Sequence, residues 1–435
     1  MFKTACLLVL IFSLFSGLMC STSGAAPFSL EAKRGRKVME KHQCNRCHPI
    51  SGQRGIKPMT EELHCAQCHR TILGTAHDPQ QIKEKLKTFP EWNKYLSTIK
   101  HFKHLPDLGT LARRVDASFI EKYLEDPFDL RPHLEESMYV PQLTQKERKQ
   151  VARYLRELNG KDAAPQVKRA ETSLASENIE RGRALFIQFS CPTCHLLGNE
   201  FFGPQFSEPL YQAIKIIAPL APNLRFVRER IPRERLIKFI LDPKSIDPSS
   251  TMPRLGLTEV QANLIADYLH NVSLSYTPER DLRQPKVLLL EREVSFEEVD
   301  EAIFSRVCVH CHMDPSLSEG QGGPGNTGGF GFKGAGLSLQ TYQGIKRGIK
   351  RRGRRSSILK GDRPEATLLM RAVLRRHTEA ARDDRSALDE QWPQALPKGQ
   401  EVPGMPLSLP PLSHSELSLL KTWLAQGAKG PASSQ

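Results

Sequence analysis

Eight of the ten cysteines fall in four pairs of identical spacing, and a histidine directly follows each pair. The segments are Cys44-Asn45-Arg46-Cys47-His48, Cys65-Ala66-Gln67-Cys68-His69, Cys191-Pro192-Thr193-Cys194-His195 and Cys308-Val309-His310-Cys311-His312. In such a segment both thiols can add to the vinyl groups of one haem while the adjoining imidazole ligates the iron from the same face, and C-x-x-C-H is the attachment sequence of c-type haem. The first two pairs also have the spacing of a zinc ribbon, two C-x-x-C pairs separated by 17 residues. A four-thiolate site has no use for His48 and His69, however, and the two later pairs have no second pair beside them. We therefore expect four covalent haems (haem c), with Cys44, Cys47, Cys65, Cys68, Cys191, Cys194, Cys308 and Cys311 as attachment residues. His48, His69, His195 and His312 are then iron ligands.

The elements that must position these groups repeat along the chain. Gly35 precedes Cys44 by nine residues and Gly182 precedes Cys191 by nine, each inside a short amphipathic helical pattern. A thirteen-residue pattern occurs three times downstream, at 143–155, 257–269 and 412–424. Thr144, Thr258 and Ser413 are its natural N-caps, and Tyr154, Tyr268 and Trp423 close its apolar face. A methionine precedes each copy: Met138, Met252 and Met405. A lone Met beside a helix packs a core, but three at one place in a repeat point to ligation.

This constellation resembles the class I cytochrome c domain, most fully over residues 177–273. The resemblance implies a helix carrying Gly182 and Phe186, then the attachment segment and the Pro222-Asn223-Leu224 loop beside His195. Met252 then lies opposite His195 across the iron, and a last helix carries Tyr268. Residues 30–160 repeat the frame with Pro106-Asp107-Leu108, Asp126-Pro127 and Met138, but enclose the second motif as an insertion. The repeat dictates no sixth ligand for that haem; His77, His101 and His104 are candidates, with His104 preferred. Residues 297–428 form the most divergent copy, with Val299 where the crossing glycine stands elsewhere and Met370 and His377 as less favoured ligands than Met405. The expected fold class is mainly α: three tandem cytochrome c-like helical domains with long loops after an N-terminal signal peptide. Residues 30–160 would be dihaem; residues 177–273 and 297–428 would each be monohaem.

Composition agrees with that organisation. A chain of 435 residues suits about three domains of roughly 100–150 residues, and 39% apolar residues with a mean hydropathy of -0.43 exclude a polytopic membrane protein. Lys3 followed by an apolar run to Met19 and small residues to Ala26 reads as an export signal, 1–25, cleaved after Ala25; lipidation of Cys20 and retention as an anchor are the alternatives. That places the protein in the periplasm or at the outer surface of a bacterial cell. The net charge of +14 favours an acidic partner, an anionic cofactor or a membrane surface, and haem propionates would offset part of it. Arg113, Arg114, Arg228 and Arg230, shortly after the proline loops, are candidates to pair with them. The basic run 346–355 reads as a solvated loop, and the nine glycines from Gly320 to Gly336 read as a flexible excursion without the phosphate-loop signature. Two polar stretches, 161–176 and 274–296, read as linkers.

The expected function is a tetrahaem c-type cytochrome relaying single electrons between redox partner proteins, with no catalytic residues and no nucleic-acid partner. Two alternatives stand beside it. One is a haem enzyme, a peroxidase or small-anion oxidoreductase, working at the second haem. The other is a fixed cytochrome subunit of a membrane-associated respiratory complex.

Overall fold

A computed structural model of the chain describes residues 27–52, 54–59, 64–76, 78–88, 93, 105–127, 130–131, 138–167, 176–198, 220–272, 274, 287–313, 336–351, 354–380 and 403–431. The described structure is mainly helical, as expected, with one two-stranded sheet. The candidate signal peptide and His77, His101 and His104 lie outside the described residues, as does most of the glycine-rich stretch.

The first bundle is built on the crossing of α1 (Leu30–Lys41) and a C-terminal helix. Between them run α2 (Cys65–Ala76), α3 (Pro79–Thr88), α4 (Leu108–Leu111) and α5 (Ala117–Glu125), and the closing helix is α6 (Gln145–Asn159). Gly35 sits at the crossing: a side chain there would run into the Gln150 carbonyl and the Tyr154 Cβ. Tyr154 is fully buried in a core with Met39, Phe119, Ile120 and Leu155. The second bundle repeats this with α7 (Ser176–Gln188), α8 (Val227–Arg230), α9 (Arg233–Leu241), α10 (Pro243–Ile246) and α11 (Glu259–Asn271). Gly182 meets the Leu264 carbonyl and Tyr268 of α11, and Tyr268 packs on Phe186 with ring centres 5.6 Å apart.

The third bundle reaches its cysteine segment differently. A single turn, α12 (Phe296–Val299), widens into a π-helix over Asp300–Cys308, where Val309 N–H bonds back to the Phe304 carbonyl at 2.9 Å. π segments are rare and gather at functional sites. Then come α13 (Tyr342–Arg347), strands β1 (Ile349–Arg351) and β2 (Arg354–Ser356), α14 (Leu368–Ala380) and α15 (His414–Ala425). The core holds Val299, Ile303, Phe304, Met370, Leu417 and Trp423, with Trp423 against Phe304 at 6.0 Å and Phe296 at 6.1 Å.

The three repeated helices begin where their caps predict. Thr144, Thr258 and Ser413 each accept the N–H three residues on, and Glu147, Gln261 and Glu416 bond back to the cap N–H, so each start is a capping box. Each pair satisfies two of the orphan donors at a helix start.

Three stretches depart from the sequence reading. The basic run is not a plain loop: β1 and β2 form an antiparallel hairpin, Ile349 opposite Ser356 and Arg351 opposite Arg354. The single apolar residue Ile349 buries itself and tethers the hairpin, while β2 stays exposed. Both polar stretches are also partly docked. Ala164 N–H bonds the Ala112 carbonyl at 2.6 Å and Val167 N–H the Asp116 carboxylate at 2.7 Å. Residues 287–294 lie along α15, where Leu290 N–H meets the Thr422 hydroxyl and Val294 N–H the Gln426 side chain, both at 2.9 Å.

Candidate functional site

Three of the four cysteine segments share a tight turn. In the first and second bundles it is a 3-10 turn, Cys44–Arg46 and Cys191–Thr193, entered through Gln43 and Ser190 in the left-handed region at φ 54° and 61°. His48, His195 and His312 each return their N–H to the carbonyl of the first cysteine at 3.0 Å. The second motif instead opens α2, where the His64 Nδ1 accepts the Gln67 N–H at 3.1 Å. In every case the two cysteines and the histidine sit at i, i+3 and i+4 of a helical turn.

Two of the four imidazoles are oriented by a proline-loop carbonyl. His48 Nδ1 donates to the Pro106 carbonyl at 3.1 Å and His195 Nδ1 to the Pro222 carbonyl at 2.9 Å. With Nδ1 holding the proton, Nε2 keeps its lone pair for a metal, and the ring orientation is fixed by this outer bond. The loops are themselves pinned: Leu108 N–H bonds the Pro49 carbonyl and Leu224 N–H the Leu196 carbonyl, both at 2.8 Å. Asp107 and Asn223 each accept the amide two residues on. Burial lowers His48 and His195, pushes His69 down to about 3, and pushes His312 down to about 4 against the opposing pull of the Leu337 carbonyl. All four are neutral imidazoles at pH 7, the form that binds iron.

Burial raises Cys44 to about 11 and Cys191, Cys308 and Cys311 to about 12. Of the four cysteines a zinc ribbon would need, Cys47 is hydrogen-bonded to Cys65, which raises Cys47 and lowers Cys65. Among the described residues no group of three or more His, Cys, Asp or Glu is placed to hold a metal ion.

Met138, Met252 and Met405 are half-buried in the segments just ahead of α6, α11 and α15. The Met405 segment is clamped to α14: Met405 N–H bonds the Ala372 carbonyl at 3.0 Å, Gly404 N–H the Glu379 carboxylate at 3.1 Å, and Arg376 Nε the Leu409 carbonyl at 2.6 Å. The two less favoured ligands are engaged elsewhere. Met370 is fully buried in the core, and His377 Nε2 faces the Leu412 carbonyl at 2.6 Å.

The first bundle contacts both others. Towards the second, Asp116 N–H bonds the Arg230 carbonyl at 3.0 Å, Asn223 N–H the Leu130 carbonyl at 2.8 Å, and Arg114 pairs with Asp247 at 2.7 Å. Phe226 inserts into the first bundle's core. Of the four arginines expected to meet propionates, three have protein partners: Arg113 with Asn159, Arg114 with Asp247, Arg228 with Glu229. Arg230 is the exception. It is 7% exposed and its Nε has no acceptor among the described residues. Burial first, and then Arg114 and Arg131, press it down to about 9, which leaves it charged at neutral pH beside His195. A buried cation of this kind calls for an anion.

Towards the third bundle, Cys311 and Cys65 lie within electrostatic reach of one another, Leu409 packs on Ala66, Cys68 and Ile72 of α2, and the His69 and His310 rings stand 6.2 Å apart. Arg46, inside the first motif, is buried at this junction, and its Nε and Nη1 have no acceptor among the described residues. Sequence reasoning passed over Arg46 and His310, although both stand at the variable positions of a motif. No helix among the described residues is long and apolar enough to cross a membrane. Comparison with protein-family models, curated proteins and solved structures returned no match.

Proposed function

We propose that the protein is a tetrahaem c-type cytochrome that relays single electrons between redox partner proteins outside the cytoplasm. One observation carries the reading: four C-x-x-C-H segments each fold as a helical turn, with His48 and His195 oriented through Nδ1 by a proline-loop carbonyl. On this reading three cytochrome c-like domains, 30–160, 177–273 and 297–428, follow a signal peptide at 1–25. The eight paired cysteines attach the haems, His48, His69, His195 and His312 ligate from one side, and Met138, Met252 and Met405 ligate from the other at the first, third and fourth.

Bound haem supplies the one-electron couple, and the surrounding protein tunes it through ligand identity, burial and hydrogen bonding. The chain's own residues do the rest. Pro106 and Pro222 hold the imidazole protons at Nδ1. Arg230 and Arg46 offer buried positive charge to carboxylates. The exposed strand Arg354–Ser356 presents cations to an acidic partner. The contacts of the first bundle with both others support a continuous relay rather than three independent carriers. Electrospray mass of the exported, denatured chain tests the reading: a mass above the apo-chain by four haems is expected, whereas bound zinc or fewer haems would refute it.

A further inference from the structure

The second motif is the one for which the repeat provides no sixth ligand, and the fold brings a histidine to it from a distant part of the chain. His69, on α2, and His310, between the two cysteines of the last motif, stand side by side with ring centres 6.2 Å apart and planes inclined by 39°. A metal–nitrogen bond of about 2 Å, added to about 1 Å from nitrogen to ring centre, places two imidazoles on one iron with centres about 6 Å apart. The contact is held from both sides: Leu409, next to the Met405 segment, packs on Ala66, Cys68 and Ile72 of α2, and Cys311 lies close to Cys65.

Resting on the haem reading of residues 65–69, we infer that His310 of the third bundle is the sixth ligand of the second haem, opposite His69. The site is then bis-histidine and spans two bundles, with His310 carried by the attachment segment of the fourth haem. The arrangement sets the second and fourth haems side by side, because the residue that ligates one lies between the cysteines that bind the other. It also makes the second haem the low-potential centre, since a second imidazole lacks the thioether's preference for ferrous iron.

The test uses the full-length oxidised protein, with mass spectrometry to count haems and low-temperature electron paramagnetic resonance to read spin state. H310A should keep four haems and convert one of the four to a high-spin signal at neutral pH, and added imidazole should return it to low spin. H310M should keep all four low-spin and raise the potential of one. H77A, H101A and H104A should leave the spin states unchanged. An H310A protein with four low-spin haems, or a high-spin signal produced by H104A instead, would overturn the assignment while leaving the tetrahaem reading intact. A wild-type chain without haem on Cys65 and Cys68 would overturn both.

Discussion

The second and third bundles solve one packing problem in two ways. Each must bring a helix across the chain's repeated closing helix and then deliver two cysteines and a histidine to one turn. In the second, Gly182 lets α7 touch the backbone of α11, and Tyr268 against Phe186 fills the space beside the contact. In the third, Val299 occupies the corresponding place and is fully buried, the helix widens into a π segment, and the larger Trp423 packs between Phe296 and Phe304. The loops carrying the candidate methionines differ in the same sense. Ahead of Met252 the chain relies on a short local bond, Met252 N–H to the Ser250 hydroxyl at 3.2 Å. Met405 is held by α14 through bonds from its own segment to that helix. Close backbone contact and a local bond make one unit; bulky side chains and bonds to a neighbouring helix make the other.

Four substitutions can break this contrast. The largest effect is expected in the clamp. Glu379 accepts from Arg375 at 3.1 Å, stands 3.6 Å from Arg376 and accepts from Gly404, all in the interior. Glu379→Ala strands two buried guanidinium groups and should cost about 3–5 kcal/mol. Amide exchange should speed up at Gly404 and Met405 and stay unchanged at Met252; equal acceleration in both bundles would show that the clamp is not local. Trp423→Ala removes the largest buried side chain together with the Nε1–H bond to the Lys429 carbonyl at 2.9 Å. It should cost about 3–5 kcal/mol, seen as exchange of α15 at lower denaturant with α11 unaffected. Gly182→Val forces a branched side chain against the Leu264 carbonyl and should cost about 1–3 kcal/mol by overpacking. Val299→Gly should not tighten the third bundle in return, because Trp423 and the π segment already hold those helices at their own spacing. A stabilised V299G protein in chemical denaturation would refute that.

What was legible in the sequence follows the same line. The repeated helices, their caps and the glycine crossings announce themselves locally, through apolar periodicity and a Thr or Ser three residues before Glu or Gln. The attachment motifs are local too, and the bond from His48 to Pro106 follows from the loop that the resemblance supplied. Ile349 gives a single apolar signal in a run of cations, too little to announce a hairpin. The π segment from Asp300 has no periodicity that separates it from an α-helix. Contacts made between bundles leave no local trace: Phe226 in the first core, Arg230 beside Arg114, and His310 beside His69 depend on how three separately patterned units dock.

The smallest expected effect sharpens a second comparison, between the first and second capping boxes. They are built alike, Thr144 with Glu147 and Thr258 with Gln261, but only the first can titrate. Partial burial alone would raise the Glu147 carboxyl; the Thr144 N–H, Lys41 and the Thr144 hydroxyl outweigh it and bring the group down to about 2 from an ordinary 4.5. A carboxylate whose pKa falls on folding stabilises the native state above its unfolded pKa, and loses that contribution as pH drops through its folded value. The start of α6 should therefore loosen progressively from about pH 4.5 towards pH 2, while the Gln261 box of α11 holds. Glu147→Gln should give α6 the acid response of α11 and remove the Lys41 pair at neutral pH, where an exposed lysine contributes little. Amide exchange at residues 145–148 against 259–262, followed from pH 6 to pH 3 and corrected for intrinsic rates, reads the difference. Parallel loss at both helices in the unaltered protein would place the acid sensitivity elsewhere in the fold.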